Sequence, residues 1–167
     1  MKLGEGVEHA IHSVTVLAAL QPGRVLPAAA LAEFHGVSPS YLLKHLQALS
    51  GAGIVATAPG PNGGYRLAKP TEKITLLDIV LAVEGAQPAF RCTEIRQRGP
   101  NPIGGVPAAP CEVNAAMLKA ERAYRAELAK VSIADIFGRL NDNDEDGRID
   151  ARRCAFFELR ERRLPAS

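Results

Sequence analysis

The chain has 167 residues, of which 47% are hydrophobic and 23% are charged, and its formal net charge is +2. These values are typical of a globular protein with one domain or two small ones, and any nucleic-acid binding must come from a local basic patch. The N-terminus lacks a signal-peptide pattern and no run of 18 apolar residues occurs, so we expect no export and no membrane span. Three cysteines in such a chain predict a cytoplasmic protein with reduced, metal-bound or catalytic thiols.

The first predicted helix covers residues 6–20, where apolar residues recur at helical spacing. Glu8 and His12 are four positions apart, so a helix places them on one side, next to the apolar stripe. Such a spacing fits a solvated ion pair as well as a pair of metal ligands. The other histidines, His9, His35 and His45, are predicted to be exposed or hydrogen-bonded.

A helix-turn-helix pattern follows. Residues 27–35 predict a short second helix that Gly36 ends, and Ser38 and Pro39 are typical of the N-cap and first position of a third helix. Leucines of the third helix are predicted to face the core, while Ser40, Lys44 and Gln47 face outward and Tyr41 lies near its exposed start. A plain helical hairpin is the alternative.

The next segment predicts a wing. Residues 54–58 are strand-like, PGPNGG is a turn that contains Asn-Gly, and residues 65–67 alternate as a returning strand. Three helices and a hairpin predict a winged helix-turn-helix domain over residues 1–72, in a mainly α protein that has a long C-terminal dimerisation helix. The third helix of such folds enters the major groove and the wing follows the backbone or the minor groove. The predicted DNA-binding residues are Ser38, Ser40, Tyr41, Lys44, Asn62, Gly63, Gly64 and Arg66, and the glycines would allow close approach to phosphate.

An irregular loop over residues 90–111 is the candidate functional segment. A connecting segment over residues 73–89, with a helix over 75–84, precedes it. The loop is rich in proline and glycine and has Cys92 and Cys111 near its ends. Loops this long in compact chains are usually functional or disordered. Inert thiols, or a disulfide formed on oxidation, remain alternatives to a functional pair.

Residues 112–140 predict two dimerisation helices, the second over 132–140. In the first, apolar residues at steps of three and four form a seam: Val113, Met117, Ala120, Tyr124, Leu128 and Val131. The seam is typical of a dimer helix, although packing within one domain would also explain it. A two-fold dimer would match an inverted-repeat operator.

Residues 141–167 predict an acidic turn and a basic, helical C-terminal tail. The acidic stretch matches several positions of an EF-hand calcium loop, but Arg153 stands where a bidentate glutamate is expected. We therefore predict a solvated turn. Cys154 is predicted to be a free or half-buried thiol.

Residues 1–140 resemble the IscR/NsrR-type (Rrf-two) family of bacterial winged-helix transcription regulators. The segments that carry the resemblance are VSPSYLLKHLQAL, GPNGGYRLAKP, ITLLDIVLAVEG, FRCTEIRQRGP and VSIADIF. Family members with an iron–sulfur cluster usually have three loop cysteines, whereas this loop has only Cys92 and Cys111. The opening MKL-x-x-GVE and the segment CTEIRQRGP are similar to a redox-sensing branch of the family.

In that branch a 2Fe–2S cluster is held by two loop cysteines of one subunit and by a glutamate and a histidine of the partner's first helix. The resemblance therefore implies a homodimer with a 2Fe–2S cluster bound by Cys92 and Cys111, and by Glu8 and His12 of the partner subunit. It implies redox-controlled binding to a double-stranded DNA operator, with no membrane partner and no small-molecule substrate. A clusterless regulator with a Cys92–Cys111 thiol-disulfide switch is the alternative. No enzyme motif is visible in the sequence.

Overall fold

The structure is a computed structural model that describes residues 3–164, and within this range the chain forms seven α-helices and four short strands. The helices are α1 (Glu5–Ala18), α2 (Ala28–His35), α3 (Pro39–Gly51), α4 (Leu76–Glu84), α5 (Glu112–Ala129), α6 (Ile133–Asp142) and α7 (Arg148–Arg160). The strands are β1 (Arg24–Val25), β2 (Val55–Ala58), β3 (Gly64–Leu67) and β4 (Arg162–Arg163). None of the described helices is both long and apolar enough to cross a membrane.

The predicted helix-turn-helix is confirmed. Gly36 ends α2 in the left-handed conformation, and the Ser38 side chain caps α3 by accepting a hydrogen bond from the backbone N–H of Tyr41 at 3.3 Å. The inward face of α3 consists of Leu42, Leu46 and Leu49, all fully buried. They pack into one core with the apolar residues of α1, α2 and α4. Burial of these side chains fixes α3 in the fold and leaves its opposite face to solvent.

The wing is an antiparallel hairpin of β2 and β3, as the sequence predicts. The chain also adds β1 beside it: Leu26, directly after β1, exchanges backbone hydrogen bonds with Tyr65 of β3 at 3.0 and 2.8 Å. The wing is therefore joined by its backbone to the segment between α1 and α2.

Two helices of the C-terminal part, α4 and α6, each begin with a capping box. Thr75 and Asp78 cap α4, and Ser132 and Asp135 cap α6, which satisfies the free N–H groups at both helix starts. The backbone N–H of Leu76 donates to the carbonyl of Val131 at 2.9 Å, so the two helix starts lie side by side. The long predicted helix is present as α5.

The C-terminal tail differs from the prediction in its extent and its packing. Helix α7 begins at Arg148, inside the predicted acidic turn, because the Asp144 carboxylate accepts hydrogen bonds from the backbone N–H groups of Ile149 (3.0 Å) and Asp150 (2.8 Å). Phe157 of α7 is buried in the main core. After α7 the chain forms β4, which the sequence does not predict, and β4 pairs antiparallel with β1.

Candidate DNA-binding surface and thiol site

The exposed start of α3 carries most of the predicted helix contacts to DNA. Ser38, Ser40 and Lys44 are exposed, and the hydroxyls of Ser38 and Ser40 lie 3.4 Å apart. The amide groups of the first turn and the Lys44 ammonium are donors of the kind that bind phosphate or base edges. These three side chains can therefore reach a ligand that lies along the start of α3.

Tyr41 is less available than the serines. Its ring is half-buried and packs edge-on against His9 and His45, with ring centroids 5.4 and 4.9 Å apart. Its hydroxyl lies 3.5 Å from Nδ1 of His9. Tyr41 thus ties the recognition helix to α1 while its hydroxyl edge remains near the surface.

The wing presents Asn62 and Arg66 to solvent. Gly63 is instead buried, and a Cβ there would lie 2.0 Å from the carbonyl oxygen of Ala58. A Cβ on Gly64 would lie 2.6 Å from the carbonyl oxygen of Leu26. The wing therefore needs both glycines for its own backbone packing, a reason different from the predicted approach to phosphate.

Two histidines also differ from the prediction. The Nε2 atoms of His35 and His45 are buried and have no hydrogen-bond partner among the described residues. Burial lowers the pKa of His35 to about 4, and the nearby His12, His9 and Arg152 add to this effect. Burial also lowers the pKa of His45, followed by the charge of Lys44. Both rings are therefore held in the neutral form at pH 7.

The loop over residues 90–111 brings its two cysteines together. Both thiols are free; Cys92 is exposed and Cys111 is partly exposed at the N-cap of α5. The backbone N–H of Asn114 lowers the pKa of the Cys111 thiol, and the N–H of Val113 and the neighbouring Cys92 thiol lower it further. A thiolate at a helix N-terminus is favoured by these amides and by the helix dipole.

Arg96 lies beside this thiol pair, although no sequence motif marks it as a functional residue. Its charge contributes to the lowered pKa of Cys111. The guanidinium is held by the Glu94 carboxylate, with Nη2 3.0 Å from Oε2, and by the carbonyl of Ala109 at 3.2 Å. Glu94 itself has a left-handed backbone, with φ of 50°, and its N–H donates to the Cys92 sulfur at 3.4 Å. A short helical turn at Ile95–Gln97 thus closes the loop on itself.

The start of the loop is anchored on the long helix. The buried Glu121 carboxylate of α5 accepts a hydrogen bond from the backbone N–H of Ala89 at 3.0 Å and pairs with Arg125 at 2.7 Å. Arg125 also donates to the carbonyls of Ala86 and Gln87 at 3.1 Å. The Glu–Arg spacing of four residues on α5 was the available sequence signal for this anchor.

Glu8 and His12 are both exposed on α1, one turn apart as predicted. The His12 ring lies 6.3 Å from the His35 ring, centroid to centroid. Within residues 3–164 of one chain, no three His, Cys, Asp or Glu side chains come together as metal ligands. Cys92 and Cys111 therefore stand as a pair among the described residues, without a third such side chain in ligand position.

The apolar seam of α5 is only partly covered by other described residues of the chain. Val113 and Met117 are 62% and 44% exposed, whereas Tyr124, Leu128 and Val131 are half-buried. The uncovered part adjoins Cys111 at the start of the helix. An exposed apolar stripe on a helix is typical of an interaction face.

Comparison with known proteins supplies the family. The model of the Rrf2 family, described as an iron-dependent transcriptional regulator, matches residues 3–139. The chain belongs to the Rrf2 family. It is 32% identical over 150 residues to YffB of Lactococcus lactis subsp. lactis, a protein named among the HTH-type transcriptional regulators, and the alignment covers 90% of this chain and 96% of YffB. The chain is therefore a DNA-binding transcription regulator and not an enzyme.

Solved structures confirm the fold of this Rrf2 regulator. IscR of T. potens superposes with a TM-score of 0.63 at 20% identity and covers 87% of this chain and 90% of its own. The oxidized form of Staphylococcus aureus CymR gives a TM-score of 0.60 at 20% identity and covers 82% of this chain and 96% of its own. The mainly α, winged-helix architecture is thus confirmed. The family match ends before α7 and β4.

Proposed function

We propose that this regulator is a cytoplasmic redox sensor whose binding to an inverted-repeat operator is controlled by a 2Fe–2S cluster at a homodimer interface. Cys92 and Cys111 of one subunit would hold one side of the cluster. Glu8 and His12 of the partner subunit would hold the other side. When bound, the cluster supplies reversible one-electron chemistry whose potential depends on its ligands.

The convergence of the two thiols is the observation that carries the proposal. The loop places Cys92 next to Cys111, where backbone amides and Arg96 favour the thiolate form that binds iron. Since both sulfurs are at least partly exposed, a group bound there can also touch a second subunit. These residues fit two of the four ligands of a 2Fe–2S centre.

Glu8 and His12 fit the remaining two positions. Both side chains are exposed and lie one turn apart on α1, so a carboxylate oxygen and an imidazole nitrogen can face one partner. One chain does not bring them together with the thiols as a ligand group. Ligation across a two-fold dimer satisfies this constraint, because each subunit then gives its thiols to one site and its α1 pair to the other.

Helix α1 connects the proposed cluster site with α3, the proposed recognition helix. Gly6 of α1 packs directly on the ring of His45 in α3, and Tyr41 of α3 packs on His9 of α1. A change in the position of α1 at the dimer interface would therefore be transmitted to the recognition helix. The spacing of the two recognition helices decides whether both reach their half-sites.

Iron analysis tests the cluster directly. Protein purified without oxygen should be coloured and contain about one 2Fe–2S cluster per subunit. Cys92→Ala and Cys111→Ala should lose the iron, whereas the matched control Cys154→Ala should keep it, because Cys154 lies on α7 outside the loop. Colourless wild-type protein that takes up no iron on reconstitution would contradict the cluster.

A mixed dimer tests ligation between subunits. One subunit carries Cys92→Ala with Cys111→Ala, and the other carries Glu8→Ala with His12→Ala. If the ligands come from two subunits, one of the two sites in this heterodimer keeps all four ligands and half of the iron remains. If each subunit supplies its own ligands, no site is complete and the iron is lost.

A clusterless thiol switch is the second candidate, and the closeness of Cys92 and Cys111 also favours it. The lowered pKa of Cys111 would make its thiolate the attacking group on a peroxide-oxidised Cys92, with hydroxide or water leaving as the disulfide forms. Loss of two free thiols per chain on peroxide treatment of iron-free protein, with a change in DNA affinity, would support this candidate. Unchanged DNA affinity after that loss would exclude it.

A further inference from the structure

We propose that Arg162, in the C-terminal strand β4, contacts a DNA backbone phosphate next to the wing and so extends the DNA-binding surface beyond the part of the chain that matches the family model. The inference rests on the DNA-binding function of the regulator. It concerns residues that follow the family match at 3–139. It assigns the C-terminal extension a role in the strength of DNA binding.

Strand β4 is built into the same layer as the wing. Arg162 pairs with Val25 and Arg163 with Arg24, and the backbone N–H of Leu164 donates to the carbonyl of Gly23 at 2.9 Å. Leu26 follows β1 and bonds to Tyr65 of the wing. The strands thus lie side by side in the order β2, β3, β1, β4.

Helix α7 holds β4 in this place. Two hydrogen bonds of 2.9 Å join the Arg160 guanidinium to the Glu33 carboxylate of α2. The Arg152 guanidinium lies 4.7 Å from the centre of the Phe34 ring, and Phe157 is buried in the core. The strand is therefore a fixed part of the DNA-binding unit, whose arginine positions are set by packing.

Side-chain alternation puts Arg162 on the same face as Arg66. Leu26 and Tyr65 are directly opposite, so the preceding Val25 and the following Arg66 both point to the other face of the sheet. Arg162 is opposite Val25 and joins them there. Arg163, one residue later, belongs to the opposite face.

Arg162 also reaches the wing turn. Its guanidinium donates a hydrogen bond to the carbonyl of Pro61, which directly precedes the exposed Asn62. Because a guanidinium has five N–H donors, this bond leaves donors for a phosphate. The contact fixes the Arg162 charge at the wing turn, next to the predicted DNA contact Asn62.

The carboxylates of Glu161 and Glu33, close to β4, pair with other arginines. Glu161 pairs with Arg24 at 3.3 Å, and Glu33 pairs with Arg160. Among residues 3–164, the ion pairs include neither Arg66 nor Arg162. Two guanidinium groups without a carboxylate partner among these residues thus lie on one face, on either side of the buried Val25. Arg66 donates to the carbonyl of Leu67 at 3.2 Å, and both groups keep N–H donors that match the negative charge of a DNA backbone.

The salt dependence of DNA binding tests the inference with the full-length dimer. The probe is a fluorescently labelled mixed-sequence 30-bp duplex, because phosphate contacts contribute to binding without sequence preference. We expect Arg162→Gln to reduce the slope of log K against log salt by about 0.9 per subunit, or about 2 per dimer. Arg162→Lys, which keeps the charge, should restore most of the slope.

Arg163→Gln is the matched control, since it removes the same charge from the next residue on the opposite face. An Arg162→Gln slope equal to that of wild type, or equal to that of Arg163→Gln, would overturn the inference. A loss of affinity with an unchanged slope would also overturn it, because it indicates a structural role at Pro61. Wild-type protein that binds neither this duplex nor any selected from a random pool would instead overturn the DNA-binding function itself.

Discussion

Gly6 of α1 lies against the imidazole ring of His45 in the recognition helix, so closely that a Cβ on Gly6 would be 2.2 Å from Cε1 of His45. Gly6 is two residues before Glu8, a proposed ligand, and His45 follows Lys44, a predicted DNA contact. The helix proposed to sense the cluster thus touches the helix proposed to read DNA. No side chain separates them at this point.

Gly6→Ala should destabilise the protein by about 1–3 kcal/mol, because the buried His45 ring must move away from the added methyl group. Urea unfolding would measure the loss. Gly51→Ala is the matched control: the residue is at the exposed end of α3 with open space around its Cβ position, so its stability should equal or slightly exceed that of wild type. Equal stabilities of wild type and Gly6→Ala would contradict this close packing.

Lys44→Ala should weaken binding to a selected operator by roughly tenfold, since the exposed ammonium on α3 supplies a charged contact in each half-site. Fluorescence anisotropy would measure the affinity. Lys119→Ala removes the same charge from the exposed surface of α5 and should bind as wild type does. Equal affinities of the Lys44 and Lys119 variants would show that Lys44 of α3 does not contact the operator.

Met117→Glu should dissociate the proposed dimer, because it places a carboxylate in the exposed apolar part of the α5 seam. We expect the dimer dissociation constant to rise roughly 30-fold or more, as measured by sedimentation. Lys119→Glu, two residues away on α5 and outside the seam, should remain dimeric. A Met117→Glu protein that sediments as wild type would show that this seam is not the dimer contact.

Arg96→Gln should raise the pH at which the Cys111 thiol ionises. The lowered pKa of this thiol means that its thiolate is present below the ordinary pH of cysteine ionisation, and the Arg96 charge contributes to that effect. The pH dependence of iodoacetamide alkylation, measured in a background with Cys92→Ser and Cys154→Ser, reports the midpoint. Arg98→Gln serves as the control. The same alkylation midpoint in both variants would show that the Arg96 charge does not affect ionisation of the Cys111 thiol.

His35 should make the protein less stable in acid. Its pKa in the folded state is about 4, below the ordinary 6.5, so the unfolded chain binds a proton in this interval that the folded chain does not. Stability is therefore lost as the pH falls from 6.5 to 4, by roughly 1–2 kcal/mol after allowance for solvent screening. Urea unfolding of His35→Gln at pH 7 and pH 5 should show a smaller loss than wild type; an equal loss would contradict the buried neutral state.

The sequence by itself determined the elements whose signals are local. Ser38 and Pro39 mark the start of α3, and the alternation around Pro59–Gly64 marks the wing, because caps and turns depend on residues a few positions apart. The pairing of Glu8 with His12 on one side of α1 follows from helical spacing alone. The sequence also shows a cysteine near each end of the irregular loop, because the proline- and glycine-rich composition of that loop is a local signal.

The tertiary structure decided which distant residues meet. It placed Arg96 beside the thiols, Gly6 against His45, and Arg162 beside the wing turn. The contacts of Gly6 and Arg162 depend on packing between segments far apart in the chain, whereas that of Arg96 depends on how an irregular loop closes on itself. Strand β4 forms only because α7 carries two residues to the edge of β1. A two-residue strand has no periodicity of its own, and its position is set by the core contacts of Phe157 and the ion pair of Arg160 with Glu33.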